Sequence, residues 1–140
     1  MKPSPTRDKS YSFALKVVKL CREIRDPNIR PLLMQLLRSA TSIGANVEEA
    51  SAAQSRKDFS CKMAIASKEA REAKYWLRLL RDSEVLTDAI AADLLSDAEE
   101  LVRLLTSIIL TVHQKDAAIS NSKLKTQNSK LATSSTRIRE

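Results

Sequence analysis

The feature that most constrains this chain is an apolar heptad carried by Phe59, Met63, Ala66, Ala70, Ala73, Leu77 and Leu80. Its steps alternate four and three residues, the period of a seam along which two helices pack as a left-handed pair. Just before it runs RSATSIGANVEEA, Arg38–Ala50, a stretch dominated by small side chains. Small residues let a second backbone come close, so these two segments are expected to form the tightly packed centre of an all-helical domain. Composition agrees. Gly44 is the only glycine, and the aromatics are Tyr11, Phe13, Phe59, Tyr75 and Trp76. A sheet would need more β-branched and turn residues. A length of 140 residues suits one domain with a single modest core.

The pattern predicts an antiparallel up-down-up-down four-helix bundle over residues 7–115, with helices near 7–25, 30–55, 57–81 and 87–115. The first carries a core stripe of Phe13, Val17, Leu20, Cys21 and Ile24 and stops at Asp26-Pro27, because proline disfavours helical backbone in the residue before it. The second tolerates Pro31 in its first turn and has the seam Leu33, Leu36, Ala40, Ile43, Val47 and Ala50. Gly44 beside that seam lowers helix propensity by about 1 kcal/mol relative to alanine, which points to close helix approach. Ser55 with Asp58 resembles a capping box for the third helix, and Thr87 is the candidate N-cap of the fourth.

The fourth helix is apolar over a wide arc. Ile90, Leu94, Leu101, Leu105, Ile108 and Val112 suffice for a bundle core, leaving Leu95, Ala98, Val102 and Ile109 for a subunit interface or for deeper burial in the same bundle. Residues 116–140 are rich in Ser, Thr, Asn, Gln and Lys. They cannot bury enough surface to offset their ordering entropy, so a disordered basic tail is expected.

The formal charge is +7, and its distribution matters more than its size. Residues 1–47 hold nine Lys or Arg, whereas Glu84–Glu100 holds six carboxylates and no base. Lys9, Lys16, Lys19, Arg22 and Arg25 form a basic stripe on the first helix, with Glu23 placed to pair with Lys19. The tail adds Lys123, Lys125 and Lys130. Such surfaces suit an anionic partner or head-to-tail self-association, or are simply solvated.

The residues for catalysis are sparse. His113 stands alone near the end of the fourth helix, no glycine-rich loop is present, and Cys21 and Cys61 lack a CxxC partner. Both thiols are expected to be buried, as in a reducing compartment, and no membrane span or leader is seen, which points to the cytoplasm. Arg38, Asn46, Glu49, Glu69 and Glu72 are read as an interhelical polar network that fixes register, in preference to a hard-cation site. Tyr75 and Trp76 point to different faces, so any nucleic-acid binding would run through phosphates and shape. No metal, no cofactor and no enzymatic activity are expected.

RSATSIGANVEEA and the following AAQSRKDFSCKMAIASKEAREAKYWLRLL, Ala52–Leu80, resemble the bacterial four-helix-bundle family named for proteins encoded in 23S rRNA intervening sequences. Phe13-Ala14 and Val17-Val18 fit the same pattern, and the resemblance covers about residues 8–113. It implies a left-handed bundle that assembles as a homopentamer. The accessory protein of diversity-generating retroelements is similar in fold, a basic barrel that binds nucleic acid and works with a reverse transcriptase. Two expectations follow. One is a non-enzymatic homo-oligomer that binds RNA or DNA through the basic stripe and tail. The other is an interaction scaffold that recruits a protein such as a reverse transcriptase or nuclease.

Overall fold

The computed structural model describes residues 3–136. Its helices are α1 (Pro5–Glu23), α2 (Arg30–Ser51), α3 (Arg56–Asp82) and α4 (Asp88–Thr136), with no strand among the described residues.

Each start has a local cause. Ser4 Oγ accepts the Arg7 amide at 3.3 Å, with Pro5 in the first turn and Asp8 favouring the positive end of the helix dipole. Ser55 Oγ accepts the Asp58 amide at 3.0 Å, and Thr87 Oγ1 accepts the Ile90 amide at 3.3 Å. α1 ends at Glu23, two residues short of the expected 25, because Ile24 turns extended (ψ 110) and packs its side chain on the core. Arg25 therefore lies beyond the helix. α2 ends at Ser51 rather than 55; the Ala52 and Ala53 amides close turns onto Glu49 O and Ala50 O.

The α3–α4 turn is a Schellman motif. Val85 N–H donates to Leu80 O at 2.9 Å and Glu84 N–H donates to Arg81 O at 3.0 Å. Glu84 holds φ 63, the left-handed position that glycine usually fills.

Cross-helix pairs set the topology. Arg7 near the start of α1 meets Ser51 and Glu48 near the end of α2, while the Cys21 thiol at the far end of α1 meets Leu33 O. Arg38 early in α2 meets Glu69 and Glu72 late in α3, and Glu49 late in α2 meets Lys62 early in α3. Lys9 meets Glu100, and Lys16, one turn-pair further along α1, meets the earlier Asp93 and Asp97 of α4. Every one of these pairs is antiparallel, which gives an up-down-up-down bundle of α1, α2, α3 and the first part of α4.

Both expected seams are buried. All six named residues of α2 and six of the seven on α3 are core, with Phe59 half-buried at the α3 start. The alanines Ala66, Ala70 and Ala73 are fully buried, so the helices meet at alanine-scale spacing. At Gly44 an added Cβ would sit 3.6 Å from the backbone and hydroxyl of Ser10, itself buried on α1.

On α4 the division of the arc differs from expectation. Ala91, Leu94, Ala98, Leu101 and Leu105 are the buried set, and Ile90 is exposed. Ala98 is thus a core residue of the chain itself, not part of a spare surface. Leu95, Val102 and Ile109 are half-buried against the core.

The chain divides into a unit through Ile109 and a second beginning at Leu110. Asp116 does not end the helical backbone: α4 continues to Thr136, although side chains from His113 to Ser135 are exposed, as a composition without a core requires. No glycine or proline follows Thr87 to break the amide ladder. Thr126, Thr133 and Ser134 turn their hydroxyls back onto the carbonyls of Ser122, Ser129 and Leu131. Residues 137–140, the last of the expected tail, lie outside the described residues.

Candidate nucleic-acid interface

The basic stripe of α1 splits into two halves with different electrostatics. Lys9 and Lys16 face the acidic side of α4. Lys9 Nζ donates to Glu100 Oε2, and Lys16 Nζ donates to Asp97 Oδ2 at 2.8 Å and Asp93 Oδ2 at 3.2 Å. Those two hydrogen bonds raise the Lys16 pKa above the ordinary lysine value, Asp97 contributing more than Asp93. The acidic run of α4 is therefore largely an internal counter-charge for α1.

Lys19, Arg22 and Arg25 are different. Among the described residues no carboxylate lies within ion-pair distance of any of them, and Glu23 does not pair with Lys19. They line one shallow surface with Glu23 at the end of α1. Around the corner Arg22 and Arg25 join Arg30 at the rim of an α1–α2 groove of about 550 Å³. Its floor is apolar, with Val18, Leu33, Met34 and Leu37, and Asp26 is its one acid. Met34 is 53% exposed. Neither Arg30 nor this floor stood out in the sequence, because the groove exists only once α1 and α2 are paired.

The tail bases do not share one surface. Lys123 and Lys130, seven residues apart on α4, line a shallow depression with Ser122, Thr126 and Gln127, whereas Lys125 is exposed on the other flank of the helix.

The polar network assembles in part. Arg38 reaches Glu69 at 3.4 Å and also binds Glu72 and Gln35. Burial raises the Glu69 pKa, and the Arg38 charge opposes that shift. Glu49 pairs with Lys62 at 2.7 Å and not with this cluster. Asn46 donates to Ser42 O and Oγ within its own helix, so it fixes no interhelical register. With Arg38 occupying Glu69 and Glu72, those carboxylates serve as ion-pair partners; among the described residues no cluster of three His, Cys, Asp or Glu is placed to hold a metal. Cys61 is exposed, contrary to expectation, because position 61 lies off the α3 seam; Cys21 is half-buried, and burial raises its thiol pKa. Tyr75 and Trp76 meet edge-to-face at 4.9 Å, Tyr75 exposed and Trp76 packed on the core.

The family model for 23S rRNA-intervening sequence proteins matches residues 5–107. The chain belongs to that family. Within this family frame, a crystal structure of a protein of unknown function from the S23 ribosomal protein family of Bacteroides thetaiotaomicron VPI-5482 is similar in fold. It shares 44% identity with a TM-score of 0.71, covering 74% of this chain and 97% of that one. No curated protein matches the sequence. The family match ends at residue 107, so it takes in the α1 basic surface and the α1–α2 groove but leaves out the tail bases. No helix among the described residues is long and apolar enough to cross a membrane.

Proposed function

We propose that this member of the 23S rRNA-intervening sequence protein family is a non-enzymatic nucleic-acid-binding accessory protein that acts as a homo-oligomer. It grips phosphates with Lys19, Arg22, Arg25 and Arg30, and separately with Lys123, Lys125 and Lys130. The observation that carries this reading is the split of the α1 stripe: Lys9 and Lys16 are neutralised by α4, whereas Lys19, Arg22 and Arg25 have no acid within ion-pair distance among the described residues. Unpaired guanidinium and ammonium groups at a surface attract phosphate and release its counterions. Among the described residues the exposed aromatics are Tyr11 on α1 and Tyr75 on α3, single rings on different helices with no continuous stacking platform, so the grip reads backbone and shape and discriminates sequence weakly. The test is titration of duplex RNA and duplex DNA against the full chain at increasing salt. Binding that weakens steeply with salt supports the reading, and no binding at about 50 mM salt overturns it.

A second reading has its own observation. The α1–α2 groove joins an apolar floor, exposed at Val18 and Met34, to an arginine rim, a surface that suits an acidic amphipathic segment of a protein partner, such as a polymerase or nuclease. Capture of one defined protein that survives nuclease treatment and is lost in Met34→Lys favours that reading over the first.

A further inference from the structure

The second half of α4 carries a tandem repeat. Asn121–Gln127 reads NSKLKTQ and Asn128–Ser134 reads NSKLATS, identical at five of seven positions. Because the backbone there is helical, a repeat of seven residues places like side chains at nearly the same angle on successive turns. Leu110, Ala117, Leu124 and Leu131 follow one another at that interval on one stripe. Gln114, Asn121, Asn128 and Ser135, each four residues on from one of them, line the adjoining stripe. Leu110, Leu124 and Leu131 are 54%, 56% and 67% exposed. Val112 and Ile119 fall on the opposite side and take no part.

We infer that this stripe is the seam of a parallel, in-register coiled coil formed with the same segment of a second copy of the chain. A seam with period 3.5 fits only another helix of the same period, and a second copy has it by identity. Leu110, Leu124 and Leu131 occupy d positions with Ala117 between them, and Asn121 and Asn128 occupy a positions flanked by Gln114 and Ser135. In a parallel in-register pair each a-position amide meets its own twin across the axis, where its donor and acceptor satisfy each other; an antiparallel pairing sets asparagine against leucine, and a one-heptad shift keeps a single asparagine pair and sets the other asparagines against Gln114 and Ser135. Charge agrees with this occupant. The g positions are His113, Ser120, Gln127 and Ser134, so Lys125 at e meets no lysine across the interface. Lys123 and Lys130 fall at c, outside the seam, and stay available to an anion. A duplex lying on the leucine stripe would leave these lysines turned aside, which favours a helix as the occupant. An isolated helix of this polarity is marginal in water, and pairing supplies the missing burial. The segment lies beyond the family match, which ends at residue 107.

The test is cysteine cross-linking of the full chain in a Cys21→Ala/Cys61→Ser background, at tens of micromolar under mild oxidation. Leu124→Cys places a thiol on the seam and Thr126→Cys places one on the outer face. The expected result is a disulfide-linked dimer forming about tenfold or more faster at 124 than at 126, since a disulfide requires close, facing Cβ atoms. Equal rates at the two positions, or no cross-link at 124, overturn the inference. In a second measurement, Leu124→Lys/Leu131→Lys is expected to lower the helical circular-dichroism signal and solution mass while leaving the bundle's unfolding midpoint unchanged. An unchanged mass and helix signal also overturn it. Both readouts are independent of nucleic acid, so they stand or fall separately from the binding proposed above.

Discussion

Lys16 Nζ on α1 lies 2.8 Å from Asp97 Oδ2 and 3.2 Å from Asp93 Oδ2, both on α4. This bridge turns half of a basic helix into an internal clamp and leaves the other half as a surface. It ties the folding of the bundle to where the protein presents charge.

The bridge predicts an alkaline dependence. A lysine whose folded pKa is raised stabilises the fold fully below its ordinary pKa, and that stabilisation is lost as pH rises through the folded value. Lys16→Gln should therefore lower stability at neutral pH and low salt, by about 0.2–1 kcal/mol because the pair is partly exposed. The difference should shrink as pH rises past the lysine range and as salt increases. Urea unfolding of both proteins between neutral and strongly alkaline pH checks it.

Gly44 predicts a size threshold. A methyl group at 3.6 Å from Ser10 makes an ordinary contact, so Gly44→Ala should fold and gain about 0.5–1 kcal/mol from helix propensity. Gly44→Leu drives further atoms into the α1 backbone and should lose about 1–3 kcal/mol. Thermal denaturation of the two variants separates the small-residue requirement from a glycine requirement.

Glu84 predicts a gain from a surface change. Its φ of 63 is a left-handed conformation held by the Schellman hydrogen bonds to Leu80 and Arg81. Non-glycine residues pay about 1–2 kcal/mol there, partly offset for glycine by its freedom when unfolded. Glu84→Gly should raise stability by up to about 1 kcal/mol, and Glu84→Val should lower it. Denaturant midpoints measure both directly.

The two seams were legible in the sequence because one face of a helix, buried against another, leaves a four-three apolar rhythm, as on α3 from Met63 to Leu80. α4 was harder. Ile90, Leu95 and Ala98 are all apolar, and which of them is buried depends on how α4 is rotated against its neighbours, which periodicity leaves open when the arc is wide. The far part of α4 was read through its low apolar content; the backbone instead follows the absence of any glycine or proline after Thr87. The basic stripe was visible as charge. That Asp93, Asp97 and Glu100 claim only Lys9 and Lys16 follows from the α1–α4 register, a tertiary fact that local sequence does not carry. Asn46 was misread for a similar reason, since its amide finds partners one turn back on its own helix.

The split stripe is tested most directly by the salt dependence of duplex DNA binding in two multiple variants. Lys19→Gln/Arg22→Gln/Arg25→Gln removes the unpaired cations, and Lys9→Gln/Lys16→Gln removes the paired ones. Each phosphate contact contributes about 0.9 to the slope of log K against log salt. The triple variant should lose up to about 2.7 from that slope, with weaker binding at every salt concentration, while the double variant keeps the slope of the unaltered protein. Equal losses in the two variants, or a larger loss in the double variant, would contradict the account.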